Sequence, residues 1–163
     1  MKETIVEIFA NYSKYIVLIH VLSAVIWVGG MIAIRLFVHT NAVRIDSNVI
    51  KFELILNYLK SFFNIALFCI ILLFATAILM AIGLGFKGTP LYTIIHVKEA
   101  ILTIMLLVFI YIYKKRNRAQ EFFDSHNYEA TKKELKPIGI LIPINIVLGL
   151  VAIYFGVVLR GFA

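Results

Sequence analysis

Four long, predominantly apolar stretches, at residues 15–38, 62–84, 91–113 and 138–159, dominate this chain of 163 residues. Each is long enough to cross a hydrocarbon core of about 30 Å, which takes roughly 20 residues of helix. In lipid only helices and closed barrels satisfy every backbone N–H and C=O. None of the four stretches alternates apolar and polar residues with the period of two that a barrel strand needs. The sequence therefore predicts an all-α integral membrane protein, a four-helix bundle forming a single transmembrane domain over residues 1–163. Composition agrees: 15% of the residues are charged, against about 25% in a soluble domain, which leaves no material for a second, soluble unit.

The breaks between the stretches are chemically consistent with this reading. Gly83, Gly85, Gly88 and Pro90 form a short turn between the second and third spans. Pro137 suits the first turn of a helix and is expected to open the fourth span. Pro143 lies further in and should kink it. Residues 44–60 interleave charges with Val49, Phe52, Ile55, Leu56 and Leu59; spacings of three and four predict an amphipathic surface helix running into the second span. The opening residues carry Glu3 and Glu7 and show no small-residue cleavage signature, so the first helix is expected to direct insertion itself. The single cysteine, Cys69, excludes an internal disulfide and a paired-cysteine metal motif.

The net charge of +7 is explained by where the basic residues stand. The linkers after the first and third spans fall on one side of the membrane. Counting Arg35 at the edge, they hold eleven basic residues, among them Arg44, Lys51, Lys60, Lys132, Lys133, Lys136 and the run Lys114-Lys115-Arg116-Asn117-Arg118. The opposite side holds Lys2, Lys14, Lys87 and Arg160. The positive-inside bias makes the two linkers cytoplasmic and puts both termini outside. The basic run, directly after an apolar helix, reads as an orientation and lipid-headgroup feature rather than a nucleic-acid patch.

Ionisable groups inside a span each need a reason, because they cost about 2.5–3.5 kcal/mol or more at the membrane centre. His20 and His96 each lie five residues into their spans from the same side, roughly 7–8 Å deep. Two imidazoles at one depth on different helices could serve as axial ligands of a b-type haem or as a pair of copper ligands. The plain alternative is two interfacial histidines bonded to backbone and water. Glu99, three residues after His96, shares its face and could orient the imidazole or carry a proton. Lys98 points roughly the other way, to snorkel or to reach a carboxylate. Ala24, Trp27 and Met31 continue the His20 stripe, and Gly29, Gly30 and Ala33 leave a thin surface for another helix, a flat macrocycle or a second copy of the chain. Arg35 and His39 form a second polar layer at the linker side; His39 is nineteen residues from His20, about 28 Å along a helix, too far to share one iron. Met80 is a candidate soft copper ligand, while Cys69 and Met105 read as packing. Asn145, beside Pro143, is expected to cap a freed carbonyl.

The run His20-Val-Leu-Ser-Ala-Val-Ile-Trp27-Val-Gly29-Gly30 resembles the opening helix of the copper-resistance protein D (CopD) domain and of the small membrane protoporphyrinogen IX oxidases (HemJ type). Arg35-Leu-Phe-Val-His39, Leu59-Lys60 through Asn64, and His96-Val-Lys98 resemble the oxidase family at matching places. The resemblance implies a haem b associated with His20 and His96, with Lys98 near the site; Lys98 and Glu99 are the candidate catalytic residues, and Trp27 and Arg35 further candidates for cofactor binding, Arg35 too far along the helix for a cofactor held tightly at His20. It also implies oxidation of protoporphyrinogen IX, with electrons passed towards quinone in a bacterial inner membrane. The chain departs from that family where Ile110-Tyr111-Ile112-Tyr113 replaces an expected late histidine. It departs again where Lys136-Pro137-Ile138-Gly139 replaces an Asn-Glu-x-Pro opening, and Val28-Gly29-Gly30 is closer to the copper family. The leading expectation is a haem-b redox protein, with a copper-handling protein and a non-catalytic assembly subunit as alternatives.

Overall fold

The computed structural model describes residues 2–85 and 92–160, and among them every regular element is helical. The first helix, α1 (Lys2–Ala33), continues without a break through a π-helical segment, Ile34–Val38, into one further turn, α2 (His39–Ala42). Then come α3 (Asn48–Gly83), α4 (Tyr92–Asp124) and α5 (Tyr128–Arg160). Four of these helices are long and apolar enough to cross a membrane. The sequence expectation of four apolar helical spans is met. The residues of the glycine turn from 86 to 90 and the first residue of the third span, Leu91, lie outside the described residues.

The long helices outrun the apolar stretches. α1 begins thirteen residues before position 15 because Phe9 is buried against Gly83 at the end of α3. Residues 48–60 form the start of α3 and run into the second span as one helix, with Phe52, Leu56 and Leu59 buried in the bundle and Val49, Glu53 and Lys60 exposed; residues 44–47 precede it. Pro137 does not open a helix: α5 starts at Tyr128, so both prolines lie inside it. What starts α5 is a two-sided cap. Asn127 Oδ1 accepts from Ala130 N–H at 3.1 Å, as an N-cap residue does. Just before it, α4 closes in a Schellman turn in which Asn127 N–H bonds Phe122 O (2.9 Å) and His126 N–H bonds Phe123 O (3.0 Å). His126 takes the left-handed conformation this turn requires, with φ 61°. An ion pair at 2.8 Å between half-buried Lys115 and Glu134 ties the two arms together. The expected polar linker is therefore an extended helical hairpin.

All neighbouring long helices run antiparallel. α1 lies against α3, with His20 at Thr76 and Gly30 at Phe62, and also against α5, with Val28 at Gly149. α4 lies against α5 and α3 and faces α1 across the bundle diagonal. The middle is filled by Trp27, Met31, Phe63, Met105, Phe109 and Ile142. Trp27 meets Phe109 edge-on across the diagonal (6.3 Å, 88°), and Phe63 meets Phe109 likewise (5.5 Å, 79°). Side chains on the opposite faces, such as Leu22, Val25, Phe68, Ile71, Leu107, Val147 and Tyr154, are exposed and equally apolar. Helices apolar all round suit a lipid surround rather than water.

Close approach of α1 and α5 depends on Gly149. A Cβ there would stand 2.6 Å from Val28 Cγ2, whereas a Cβ at Gly29 would meet nothing within 4 Å. Gly149→Ala should therefore cost about 1–3 kcal/mol by overpacking. Gly29→Ala should be neutral or stabilising by up to about 1 kcal/mol through helix propensity. Reversible unfolding in mixed micelles measures both.

Candidate functional site

The inward face of α1 repeats at helical spacing: Ile16, His20, Ser23, Trp27 and Met31 are buried or half-buried, while Leu18, Val21, Leu22 and Val25 are exposed. His20 is thus carried into the bundle on the same stripe as Trp27. Its Nδ1 lies 2.9 Å from Thr76 Oγ1 on α3. The Thr76 hydroxyl in turn donates back into its own helix, to Leu72 O at 2.7 Å, with Leu73 O at 3.1 Å, a habit of threonine inside helices. A hydroxyl has one proton. With that proton committed to the helix carbonyls, Thr76 accepts from His20, so Nδ1 carries the hydrogen and Nε2 keeps its lone pair. The bond to one nitrogen assigns the chemistry of the other.

α4 presents Lys98, Leu102, Met105, Phe109, Ile112, Arg116 and Ala119 inward, at alternating spacings of four and three. Lys98 is half-buried between exposed neighbours, and its Nζ lies 3.3 Å from where a Cβ on Gly156 of α5 would stand. Two turns along α1 and α5 from the Val28–Gly149 contact bring His20 opposite Gly156, and so level with the Lys98 amine. The two ion pairs among the described residues are His96–Glu99 and Lys115–Glu134, so Lys98 has no acidic partner there.

His96 is two residues from Lys98, some 200° around the helix, and faces outward. Its Nδ1 bonds Glu99 Oε2 at 3.0 Å, with the two side chains 54% and 56% exposed, and the Tyr92 ring stands edge-on at 4.3 Å. The predicted i,i+3 pairing of His96 with Glu99 is present, but the pair is on the outside. The expectation that His96 turns inward and Lys98 away is reversed, and the structure does not bring His20 and His96 together. The physical reason is that large apolar residues line both faces of α4, and the inward one is chosen by tertiary partners. Glu99 instead borders a groove of about 320 Å³ between α3 and α4, lined by Phe74, Ala77, Ile78, Leu102 and Thr103 among others.

Trp27 is buried in the middle of the bundle (1% exposed). Arg35 is exposed in the π-helical segment, fifteen residues and about 22 Å along the helix from His20, so it belongs to the other end of the bundle. His39 is exposed there too, Met80 is half-buried, and Cys69 and Met105 are packed in the core. Among the described residues no group of three His, Cys, Asp or Glu side chains could hold a metal ion.

Three partners were not read from the sequence. Thr76 is the one hydroxyl in residues 65–83, and that isolation was the available signal. Asn145, fully buried, does not cap its own helix: Nδ2 donates to Met105 O on α4 at 3.3 Å and lies 3.8 Å from Met31 Sδ. Its Oδ1 and the indole Nε1 of Trp27 are both buried without a hydrogen-bond partner among the described residues. Arg116, expected at the lipid headgroups, is 6% exposed, and its Nε and Nη2 both donate to Leu56 O on α3 (3.3 and 3.0 Å). A fork-shaped donor that grips one carbonyl this way locks α4 to α3.

The chain matches no protein-family model, no curated protein and no solved structure.

The His20–Thr76 bond gives a direct test. Thr76→Val keeps the shape and leaves a half-buried imidazole N–H unpaired, at a cost of about 1–3 kcal/mol; Thr76→Ser should restore most of it. Imidazole ¹⁵N shifts in detergent should show the Nδ1–H tautomer of His20 in the parent and in Thr76→Ser, and a tautomer mixture in Thr76→Val.

Proposed function

We propose that this chain is a multi-pass membrane protein that binds haem b through His20 and works in electron transfer, in the manner implied by its resemblance to the small protoporphyrinogen oxidases. The observation that carries the reading is His20 itself: a half-buried imidazole on the inward stripe of an apolar bundle, with Nδ1–H held by Thr76, which leaves the lone pair on Nε2. Ligating histidines characteristically have the second nitrogen held in this way, which fixes tautomer and ring orientation.

The residues present would hold the group through one imidazole, that of His20, rather than two. His96 is engaged with Glu99 on the outer face, and the sequence pairing of His20 with His96 as joint ligands of one iron does not fit the geometry. Trp27, about two turns from His20 along α1 and edge-on to Phe109, fills the bundle on the linker side of the site. When bound, the haem supplies one-electron chemistry, and a low-dielectric surround with few hydrogen-bond donors sets its potential. His96 and Glu99 form an exposed acid–base pair on the same helix, able to hold or pass a proton at the lipid-facing groove. Copper binding draws less support, because the described residues hold no group of three His, Cys, Asp or Glu side chains that could hold a metal ion.

The basic residues support an orientation with the α4–α5 hairpin and the linker after α2 in the cytoplasm and the chain termini outside. His20 then opens towards the outer leaflet of a bacterial cytoplasmic membrane.

Protein purified in mild detergent should show a Soret band and sharp reduced-minus-oxidised bands. His20→Ala should abolish them, and His96→Ala should leave haem content within about twofold. A colourless, iron-free preparation overturns the reading, and equal loss in both variants restores the two-histidine scheme. Formation of fluorescent protoporphyrin from protoporphyrinogen with a quinone acceptor tests the oxidase activity separately.

A further inference from the structure

The seam between α4 and α5 is open where it nears the hairpin. A groove of about 520 Å³ lies there, lined by Leu107, Val108, Tyr111, Pro137, Ile140 and Leu141. Leu107, Tyr111 and Ile140 are exposed and stand within the apolar spans, where hydrocarbon rather than water is the surround. Basic side chains continue the same two helix faces past the groove. On α4, Lys115 and Arg118 follow Tyr111 at i+4 and i+7; on α5, Lys133 precedes Pro137 by four residues. The Lys115 ammonium stands 5.7 Å from the centre of the Tyr111 ring, at the mouth of the groove. Lys114 and Lys136, both exposed, flank it. The acid at this level, Glu134, is taken up by Lys115 at 2.8 Å. The other acids of the hairpin, Glu121, Asp124 and Glu129, lie beyond Arg118 towards its tip. Lys114, Arg118, Lys133 and Lys136 enter neither of the two ion pairs among the described residues. An apolar trough thus ends in a ring of cations that no side chain there neutralises.

We propose that this groove binds one anionic phospholipid, with an acyl chain lying between α4 and α5 and the phosphate held by Arg118 and Lys133. Charge complementarity selects this occupant. A zwitterionic lipid brings a cation of its own to the ring, and a second copy of this face would bring a second set of lysines. An anionic headgroup meets the ring with charge-assisted hydrogen bonds, and basic pockets at the ends of membrane helices suit such headgroups. The site is independent of His20 and of what His20 binds.

The test uses the full-length chain carrying Ile140→Trp, reconstituted in vesicles of mixed phosphatidylcholine and phosphatidylglycerol, one of the two brominated in its acyl chains. Bromine quenches a tryptophan that the lipid touches; Trp27, 1% exposed, is shielded and adds a constant background. Quenching at position 140 should show a preference for phosphatidylglycerol of about fivefold, the contribution of one basic side chain near a charged headgroup. Phe68→Trp, on the exposed face of α3, should show little preference. Adding Arg118→Gln and Lys133→Gln together should remove the preference at 140. Lys132→Gln, about 140° around α5 from Pro137, should keep it. Equal quenching by the two lipids at 140 overturns the site, even if the charge variants fail to fold. The same preference at 68, or the same loss in Lys132→Gln, assigns it to general surface potential and also overturns the site. Quenching by neither lipid at 140 shows the seam closed to lipid and covered by another chain, which overturns it as well.

Discussion

The rotation of α4 about its own axis is the constraint on which this structure turns. Both faces of its first half carry large apolar residues, and a lipid surround makes either one admissible. Two polar contacts decide between them. Asn145 donates from α5 to the Met105 carbonyl, and Arg116 reaches from α4 to the Leu56 carbonyl on α3. Met105 and Arg116 lie on one stripe with Leu102, Phe109 and Ile112, so fixing them fixes the stripe. Lys98 is on it and His96 is not.

That rotation separates the polar groups into two environments. Inside, His20 is half-buried with its Nδ1 on Thr76, and Lys98 is half-buried without an acidic partner among the described residues. Outside, His96 and Glu99 satisfy each other at the edge of a groove and need nothing further. A polar group in hydrocarbon is expensive, and its cost falls when a specific partner arrives. The inward groups therefore carry the larger unmet cost. The sole tryptophan and Asn145 each keep one buried polar atom without a partner among the described residues, where packing has taken precedence over hydrogen bonding.

The architecture was readable from apolar length alone, because the bilayer demands about 20 residues per span and the chain supplies four such runs. Helix ends were less readable. α1, α4 and α5 continue past the apolar runs, held by Phe9 on Gly83 and by the Schellman turn at His126, contacts between residues distant in sequence or hidden in a polar stretch. At the site, the His20–Trp27–Met31 stripe was legible because i, i+7, i+11 spacing marks one helical face. The pairing of His96 with Glu99 was legible for the same reason. Which way that face turned was not: the deciding contacts, Asn145 to Met105 and Arg116 to Leu56, are tertiary and leave no local pattern. Thr76 escaped notice because a lone hydroxyl in a span ordinarily bonds its own helix, which it also does here.

Spin labels at positions 96 and 98, each placed singly in a Cys69→Ser background, test the rotation most directly. In a bilayer, oxygen dissolved in the hydrocarbon relaxes a label that faces lipid and spares one that faces the bundle. The orientation described here predicts strong oxygen relaxation at 96 and weak relaxation at 98. Strong relaxation at 98 with protection at 96 would contradict it and turn His96 inward towards His20.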